Sequence, residues 1–235
     1  VGDDAIYEKL SVTGIPIVQV SKLTDQEMNQ MMLTIGEVLG EAEYERAKTF
    51  NTYFNSKVAF VADRTANLTE EDRPSILYLG SISPNYVVYG MYASISEYIY
   101  KAGGANVATS VTNPLGTAIV DAEAILAWNP DMIMVSTTPT LMSGFLANEA
   151  LQGLDAFQND AVYINPQGVY GWHSKVPETP LQVLWLAKTI HPTLFTDVDL
   201  NAEIKSFYST YWEYNLTDLE VSYILNATAP PLSLK

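Results

Sequence analysis

The sequence predicts an α/β protein: a parallel-sheet lobe flanked by helices, joined to a long helix strut and to a remnant of a first α/β lobe. After Pro74, short apolar runs alternate with amphipathic helical segments, which is typical of a parallel sheet covered on both faces. Before Pro74, helical periodicity dominates residues 24–63. We therefore expect four regions, which are the first-lobe remnant (1–22), the strut (23–73), the second lobe with C-terminal helices (74–228) and a tail (229–235).

The first region contains the pattern of one short helix and one strand. Ile6, Tyr7 and Leu10 follow a helical spacing that Gly14 ends, and residues 15–20 (IPIVQV) have the composition of a strand. Because one strand cannot form a sheet, its partners are expected later in the chain, upstream of it or in another molecule. The amino terminus lacks a basic segment followed by an apolar one, so we expect no signal peptide in this chain, which fits a processed form or a fragment.

Two helices make up the expected strut. The first begins at Thr24 or Asp25 and breaks near Gly40, and its apolar positions are Met28, Met31, Met32, Ile35 and Leu39. The second runs over about 41–63 and is about 35 Å long. Its apolar face comprises Ala47, Phe50, Phe54, Val58 and Val61. Such a helix fits either a rigid strut between two α/β regions or a surface helix packed on one sheet.

The second lobe follows a regular alternation of strands and helices. Strands are predicted at 75–80, 132–135 and 161–164. Helices are predicted at 94–102, 121–128, 140–151, 177–190, 201–212 and 218–225. Ligands of parallel sheets gather at the carboxyl ends of strands, so the loops after Leu79, Val135 and Ile164 are the expected binding surface.

These three loops are rich in aromatic, small and polar residues and carry almost no charge. Their rings are suited to stacking against a planar or organic ligand, and they belong to Tyr86, Tyr89, Tyr92, Tyr170 and Trp172. His173 in the third loop is suited to ligating a metal or a haem iron. The alternative interpretation is an exposed loop histidine without a function. The other histidine, His191, precedes a proline at a helix end and is expected to cap carbonyl groups.

Composition excludes several classes of function. A formal net charge of −15 opposes binding to nucleic acid. The chain has no cysteine, which excludes disulfides, thiolate metal sites and cysteine nucleophiles, and it has no apolar run near the roughly 20 residues of a membrane span. Dinucleotide-binding, phosphate-loop and nucleophile-elbow motifs are absent from the sequence, so nothing specific indicates an enzyme.

Several segments in a fixed order resemble the substrate-binding proteins of ABC importers for iron-siderophore, haem, cobalamin and related metal complexes. The most specific of them is 121–133 (DAEAILAWNPDMI). The others are 13–18 (TGIPIV), 98–106 (YIYKAGGAN), 154–163 (LDAFQNDAVY) and 184–192 (LWLAKTIHP). This resemblance spans nearly the whole chain but omits most of the family's first lobe, so we expect a fragment whose uncovered apolar surface promotes self-association.

The resemblance implies an extracytoplasmic protein with no intrinsic cofactor, held at the membrane through the importer or through a lost lipid anchor. It assigns ligand contacts to Tyr86, Tyr89, Tyr170, Trp172 and His173. The resemblance also implies that Glu178 corresponds to the acidic residue that docks the second lobe on an importer permease. The alternative interpretation is that Glu178 is a helix N-terminal glutamate that the helix dipole stabilises.

The predicted ligand is a small metal chelate. The second lobe has no arginine after residue 74, and Lys175 is the only basic residue in the expected binding loops, which favours a neutral or aromatic-rich ligand such as haem, a corrinoid or a neutral chelate. Molybdate or tungstate, bound through backbone amides and hydroxyl groups, is the alternative ligand. The alternative functions are an α/β enzyme and a sensor or scaffold lobe that takes no part in transport. The sequence does not identify a metal-binding residue set.

Overall fold

The structure, a computed structural model, describes residues 4–22, 24–113 and 115–229 and divides the chain into two compact units, Val1–Phe54 and Asn55–Lys235. The first unit contains α1 (Asp4–Ser11), α2 (Asp25–Leu39) and the beginning of α3 (Glu41–Thr65), which continues into the second unit. Within the described ranges, no helix combines the length and hydropathy that crossing a membrane requires.

The helices of the first unit begin and end where the sequence indicates. A capping box formed by Thr24 and Glu27 starts α2, and the chain breaks at Gly40 before α3 begins. Asn51 donates a side-chain hydrogen bond to the carbonyl of Asn29 at 2.8 Å, which ties the two helices together within this unit. The predicted break near Gly40 is therefore confirmed.

The second unit is built around a six-stranded mixed sheet. Its strands are β1 (Ser75–Ser81), β2 (Tyr86–Tyr89), β3 (Ala105–Asn106), β4 (Thr117–Val120), β5 (Met132–Val135) and β6 (Val162–Ile164). The order is β4-β2-β1-β5-β6, with β3 also beside β1. The pairs β1–β3, β1–β5 and β5–β6 are parallel, whereas β2 is antiparallel to both β1 and β4.

Besides the end of α3, the described residues of the second unit form seven α-helices. They are α4 (Ser94–Lys101), α5 (Ala122–Trp128), α6 (Pro139–Leu146), α7 (Asp155–Gln158), α8 (Thr179–Ile190), α9 (Leu200–Tyr211) and α10 (Asp218–Leu225). Short 3-10 helices occur at Glu70–Asp72 and Glu149–Leu151. Side-chain caps from Asp121, Thr138, Asp199 and Thr217 start four of the α-helices, which explains why their beginnings were readable in the sequence.

Alternation along the strands divides the core into two layers. Leu77 and Leu79 of β1 point into a buried apolar cluster that includes Ile125 and Phe145 from the helices that follow β4 and β5. Ile76 and Tyr78, on the opposite face, are completely buried as well. Because both faces of β1 are covered, its sequence is a continuous apolar run, as the parallel-sheet prediction required.

Three sequence predictions differ from the structure. Residues 15–20 have no helix or strand assignment and their side chains are exposed, because no described segment pairs with them. The strands β2, β3 and β4 were not predicted, and two of them make the sheet mixed instead of parallel. The helix predicted at 140–151 ends at Leu146 and is followed by the separate turn Glu149–Leu151.

Candidate ligand-binding site

The carboxyl ends of β1, β5 and β6 and the neighbouring strand β2 bring a group of aromatic side chains together. Tyr78 of β1 and Tyr89 of β2 make an edge-to-face contact, with ring centroids 5.4 Å apart and planes at 87°. His173, in the loop after β6, lies 5.8 Å from the Tyr78 ring and 5.7 Å from the Tyr89 ring. Tyr170 of the same loop is 61% exposed. We call Tyr78, Tyr89, Tyr170 and His173 the aromatic cluster.

His173 is held as a neutral imidazole. Its Nδ1 lies 3.3 Å from the hydroxyl oxygen of Ser136, the first residue after β5. Burial lowers the pKa of His173 from 6.5 to about 4, because a charged ring loses hydration among its aromatic neighbours. At neutral pH the ring therefore retains a lone pair, the form in which histidine ligates a metal or accepts a hydrogen bond.

Two tyrosines of the cluster, Tyr78 and Tyr89, have raised pKa values. Burial raises the pKa of Tyr78 well above its ordinary value. Burial also raises the pKa of Tyr89, and the electrostatic effect of Tyr170 adds to this increase. Because Tyr78 is completely buried, the part of the cluster that a ligand can reach consists of the rings of Tyr89, Tyr170 and His173.

The basic side chain of this loop, Lys175, is buried. Lys175 is 5% exposed, and its ammonium group lies 5.4 Å from the centre of the Tyr98 ring. In the described part of the chain, no group of three histidine, cysteine, aspartate or glutamate side chains could hold a metal ion. The arrangement can therefore stack against a ligand and offer it one imidazole and several hydroxyl groups.

The structure separates Tyr86 from the aromatic cluster. Tyr86 and Tyr89 are three residues apart in one strand, so their side chains point to opposite faces of the sheet. The ring of Tyr86 packs edge-on against the ring of Phe145, with centroids 6.1 Å apart, and its hydroxyl accepts a hydrogen bond from the Asn148 side chain at 2.8 Å. A pocket of about 240 Å³ adjoins it there. Tyr86 thus does not share a surface with His173.

Trp172 and Glu178 are interior residues, contrary to the roles expected for them. The Trp172 side chain is completely buried, so it presents no ring face to a ligand. Glu178 is 1% exposed and accepts hydrogen bonds from the backbone of Val169 at 2.9 Å and from the hydroxyl of Tyr208 at 3.1 Å. A carboxylate enclosed in this way cannot reach an arginine of another protein, and the docking assignment is corrected accordingly.

Two further outcomes concern single residues. His191 places its Nε2 3.0 Å from the carbonyl oxygen of Gly103, so it contacts a carbonyl group in a neighbouring loop. Tyr78 is completely buried, as the sequence indicated for a strand residue, and its ring packs against the rings of Tyr89 and His173. The alternation of β1 could have identified its face of the sheet, since Tyr78 must face away from Leu77 and Leu79 and their apolar cluster.

Comparisons with known proteins place this fold in a defined group. The family described as Periplasmic binding protein matches residues 2–168. A periplasmic solute-binding protein from Veillonella parvula has a TM-score of 0.83 and 29% identity, with 95% of this chain and 68% of that chain covered. CeuE of Helicobacter pylori, in a structure with nickel and histidine, has a TM-score of 0.71 and 24% identity, covering 96% of this chain and 70% of that one.

Similarity also extends to the molybdate-binding protein MolA of Haemophilus influenzae. It is 25% identical over 229 residues, which cover 88% of this chain, and this chain spans only 63% of that protein's length. The structure of MolA with molybdate has a TM-score of 0.79 and 22% identity, covering 92% and 71% of the two chains. The α/β fold class and the resemblance inferred from the sequence are confirmed by these matches.

Proposed function

Since the chain belongs to the Periplasmic binding protein family, we propose that it is the extracytoplasmic solute-binding component of an ABC importer and that its aromatic cluster contacts a metal chelate. Solute-binding proteins of this type bind the ligand that is transported and carry no intrinsic cofactor. An importer permease is the expected partner. The chelate class includes iron-siderophore complexes, haem and corrinoids.

The observation that supports a chelate is the uncharged, ring-lined character of the aromatic cluster. Tyr89 and Tyr170 offer rings to an organic ligand, and the neutral His173 offers a lone pair to a metal with an open coordination position. A small oxyanion would gain most from nearby cationic side chains. The only basic residue of the loop, Lys175, is instead buried against Tyr98.

Molybdate or tungstate is the second candidate ligand, and the similarity to MolA favours it. Hydroxyl groups and backbone amides would then replace cationic side chains as donors. An enzymatic role has less support, because the cluster joins one imidazole to tyrosines whose protons are retained and supplies no paired acid and base.

The decisive experiment is a titration of the purified chain with haemin, cyanocobalamin, a ferric hydroxamate, nickel–histidine and molybdate. Absorbance and calorimetry would report binding. We expect saturable binding of at least one chelate, and a loss of affinity of about tenfold in His173→Ala because a coordinating or hydrogen-bonding group is removed. Tyr170→Phe tests the loop hydroxyl in the same assay.

Tyr100→Phe is the matched control for these variants. Tyr100 is 57% exposed at the end of α4, where its ring stacks on Arg73 instead of the aromatic cluster, so its substitution should leave affinity unchanged. If molybdate is the one probe that binds, the ligand class is an oxyanion and the proposal of a metal chelate is wrong. Absence of binding to all five probes would refute the proposed function for this chain.

A further inference from the structure

We propose that Glu178 is a positioning residue that holds the loop carrying Tyr170 and His173 in its ligand-contacting conformation. This proposal rests on the proposed function, because it assigns the loop to ligand contact. The supporting geometry is a buried carboxylate whose Oε1 accepts the backbone N–H of Val169, directly before Tyr170. Val169 and Tyr170 are 63% and 61% exposed, so an interior group anchors an exposed loop tip.

The loop tip borders a pocket on one side. The pocket has a volume of about 490 Å³, and its walls include Gly168, Val169 and Tyr208. The hydrogen bond from the Val169 N–H to Glu178 joins the loop tip to the protein interior.

Gly168 lets the backbone come close enough to the carboxylate for this contact. A Cβ added to Gly168 would lie 2.1 Å from the Tyr208 hydroxyl and 2.8 Å from Glu178 Oε1. It would also lie 3.0 Å from the Trp172 Nε1. Any side chain at this position would push the loop away from the Glu178–Tyr208 pair.

The anchor is linked to His173 through the remainder of the loop. A bridge pairs Gln167 with Gly171, and Gly168 donates its N–H to the carbonyl of Tyr170 at 3.1 Å. The His173 ring rests on Gly171, where an added Cβ would lie 2.6 Å from the ring. Displacing Val169 would thus move both ends of the hairpin-like segment that presents Tyr170 and His173.

Burial of an ionisable group without a structural or functional reason is unfavourable, which makes the location of Glu178 informative. Glu178 immediately precedes α8, whose dipole favours a negative charge at that end. Tyr208 donates the second hydrogen bond to the same oxygen. The carboxylate is therefore oriented by α8 and α9, and through its hydrogen bond to Val169 it connects these helices to the loop backbone.

The test is hydrogen exchange and histidine NMR on the ligand-free full chain. In Glu178→Ala the Val169 amide should lose about tenfold or more of its protection, because its acceptor is gone. Glu178→Gln retains an acceptor oxygen and should restore protection to within about threefold of wild type. The pKa of His173 should rise from about 4 towards 6.5 in the alanine variant as its ring becomes hydrated.

Thr65→Val provides the matched control. It removes a buried hydrogen bond from Thr65 Oγ1 to the carbonyl of Lys101, away from the loop, and should leave the Val169 amide and the His173 ring unchanged. Unchanged exchange of Val169 in Glu178→Ala would overturn the proposal. Equal acceleration of the β1 amides would overturn it as well, because the effect would then be a general loss of stability.

These readouts need no ligand. A wild-type chain that binds none of the five probes would therefore refute the proposed function while leaving the exchange and NMR results to decide the role of Glu178.

Discussion

Replacing His173 by asparagine should remove most of one pH-dependent component of stability. The folded chain binds a proton at His173 with a pKa of about 4, whereas an unfolded histidine has a value near 6.5. At about 1.36 kcal/mol for each pH unit, this difference corresponds to at most about 3 kcal/mol. Because the unfolded state binds the proton more readily, the contribution is complete above pH 6.5 and is lost as the pH falls to about 4.

Urea unfolding of wild type and His173→Asn at several pH values between 4 and 8 measures this component. The difference in unfolding free energy between the two proteins should shrink by up to about 3 kcal/mol from pH 8 to pH 4. Ser174→Ala alters the same loop without removing a titratable group, so it should keep the pH dependence of wild type. NMR titration of the His173 ring gives the pKa directly.

The same measurement bears on ligand binding. If a chelate binds through the neutral imidazole, its affinity should persist well below pH 6.5 and weaken only as the pH approaches about 4. A measured pKa of 6 or more, or identical pH dependence of stability in wild type and His173→Asn, would refute the reasoning. The ring would then be hydrated and could not be enclosed between Tyr78 and Tyr89.

Four further predictions follow from particular contacts. In urea unfolding, Glu178→Gln should be at least as stable as wild type at pH 7 and should lose this advantage at pH 4. The reason is that burial raises the pKa of Glu178, so the folded wild-type protein loses stability when the pH rises and the carboxyl group ionises. Lower stability of the variant at pH 7 would contradict this. Gly168→Ala should destabilise the chain by about 1–3 kcal/mol by overpacking against Tyr208, as thermal unfolding would show, and an unchanged melting temperature would disprove the close approach. Leu79→Ala should cost about 2–5 kcal/mol on urea unfolding because it leaves a cavity in the apolar cluster, and a cost below 1 kcal/mol would indicate a loosely packed core. The chain should self-associate through apolar side chains such as Ile15, which is 69% exposed, and light scattering that gives a monomer mass would rule this out.

Of the three strands that the sequence predicted, β1 and β5 are largely buried and β6 is partly buried. β1 and β5 are continuous apolar runs because helices cover them on each side, and such runs are recognisable without knowing their neighbours. β2, β3 and β4 have two to four residues and are only partly buried. Their stability comes from pairing with another strand, and local sequence does not encode which partner is available.

The predicted site was divided by packing that the sequence does not report. Strand-end loops indicated that Tyr89 and His173 lie near one another, and their rings are in contact in the structure. Trp172 and Glu178 belong to a loop that lies against α9, so they are enclosed although their neighbours Tyr170 and Val169 are exposed. The environment of Glu178 depends on Tyr208, thirty positions later in the chain, and no local pattern contains that information.

The sequence by itself determined most of the helices, the cap of α2, the strands β1, β5 and β6 and the family resemblance. Each of these is encoded by contacts or periodicities within a few residues, or by motifs read in order. Only the tertiary structure decided that Tyr78 contacts His173, that Tyr86 faces the opposite side of the sheet and that the buried Glu178 accepts the N–H of Val169. These outcomes depend on which distant segments cover each face, because burial and hydrogen-bond partners are properties of the packed chain as a whole.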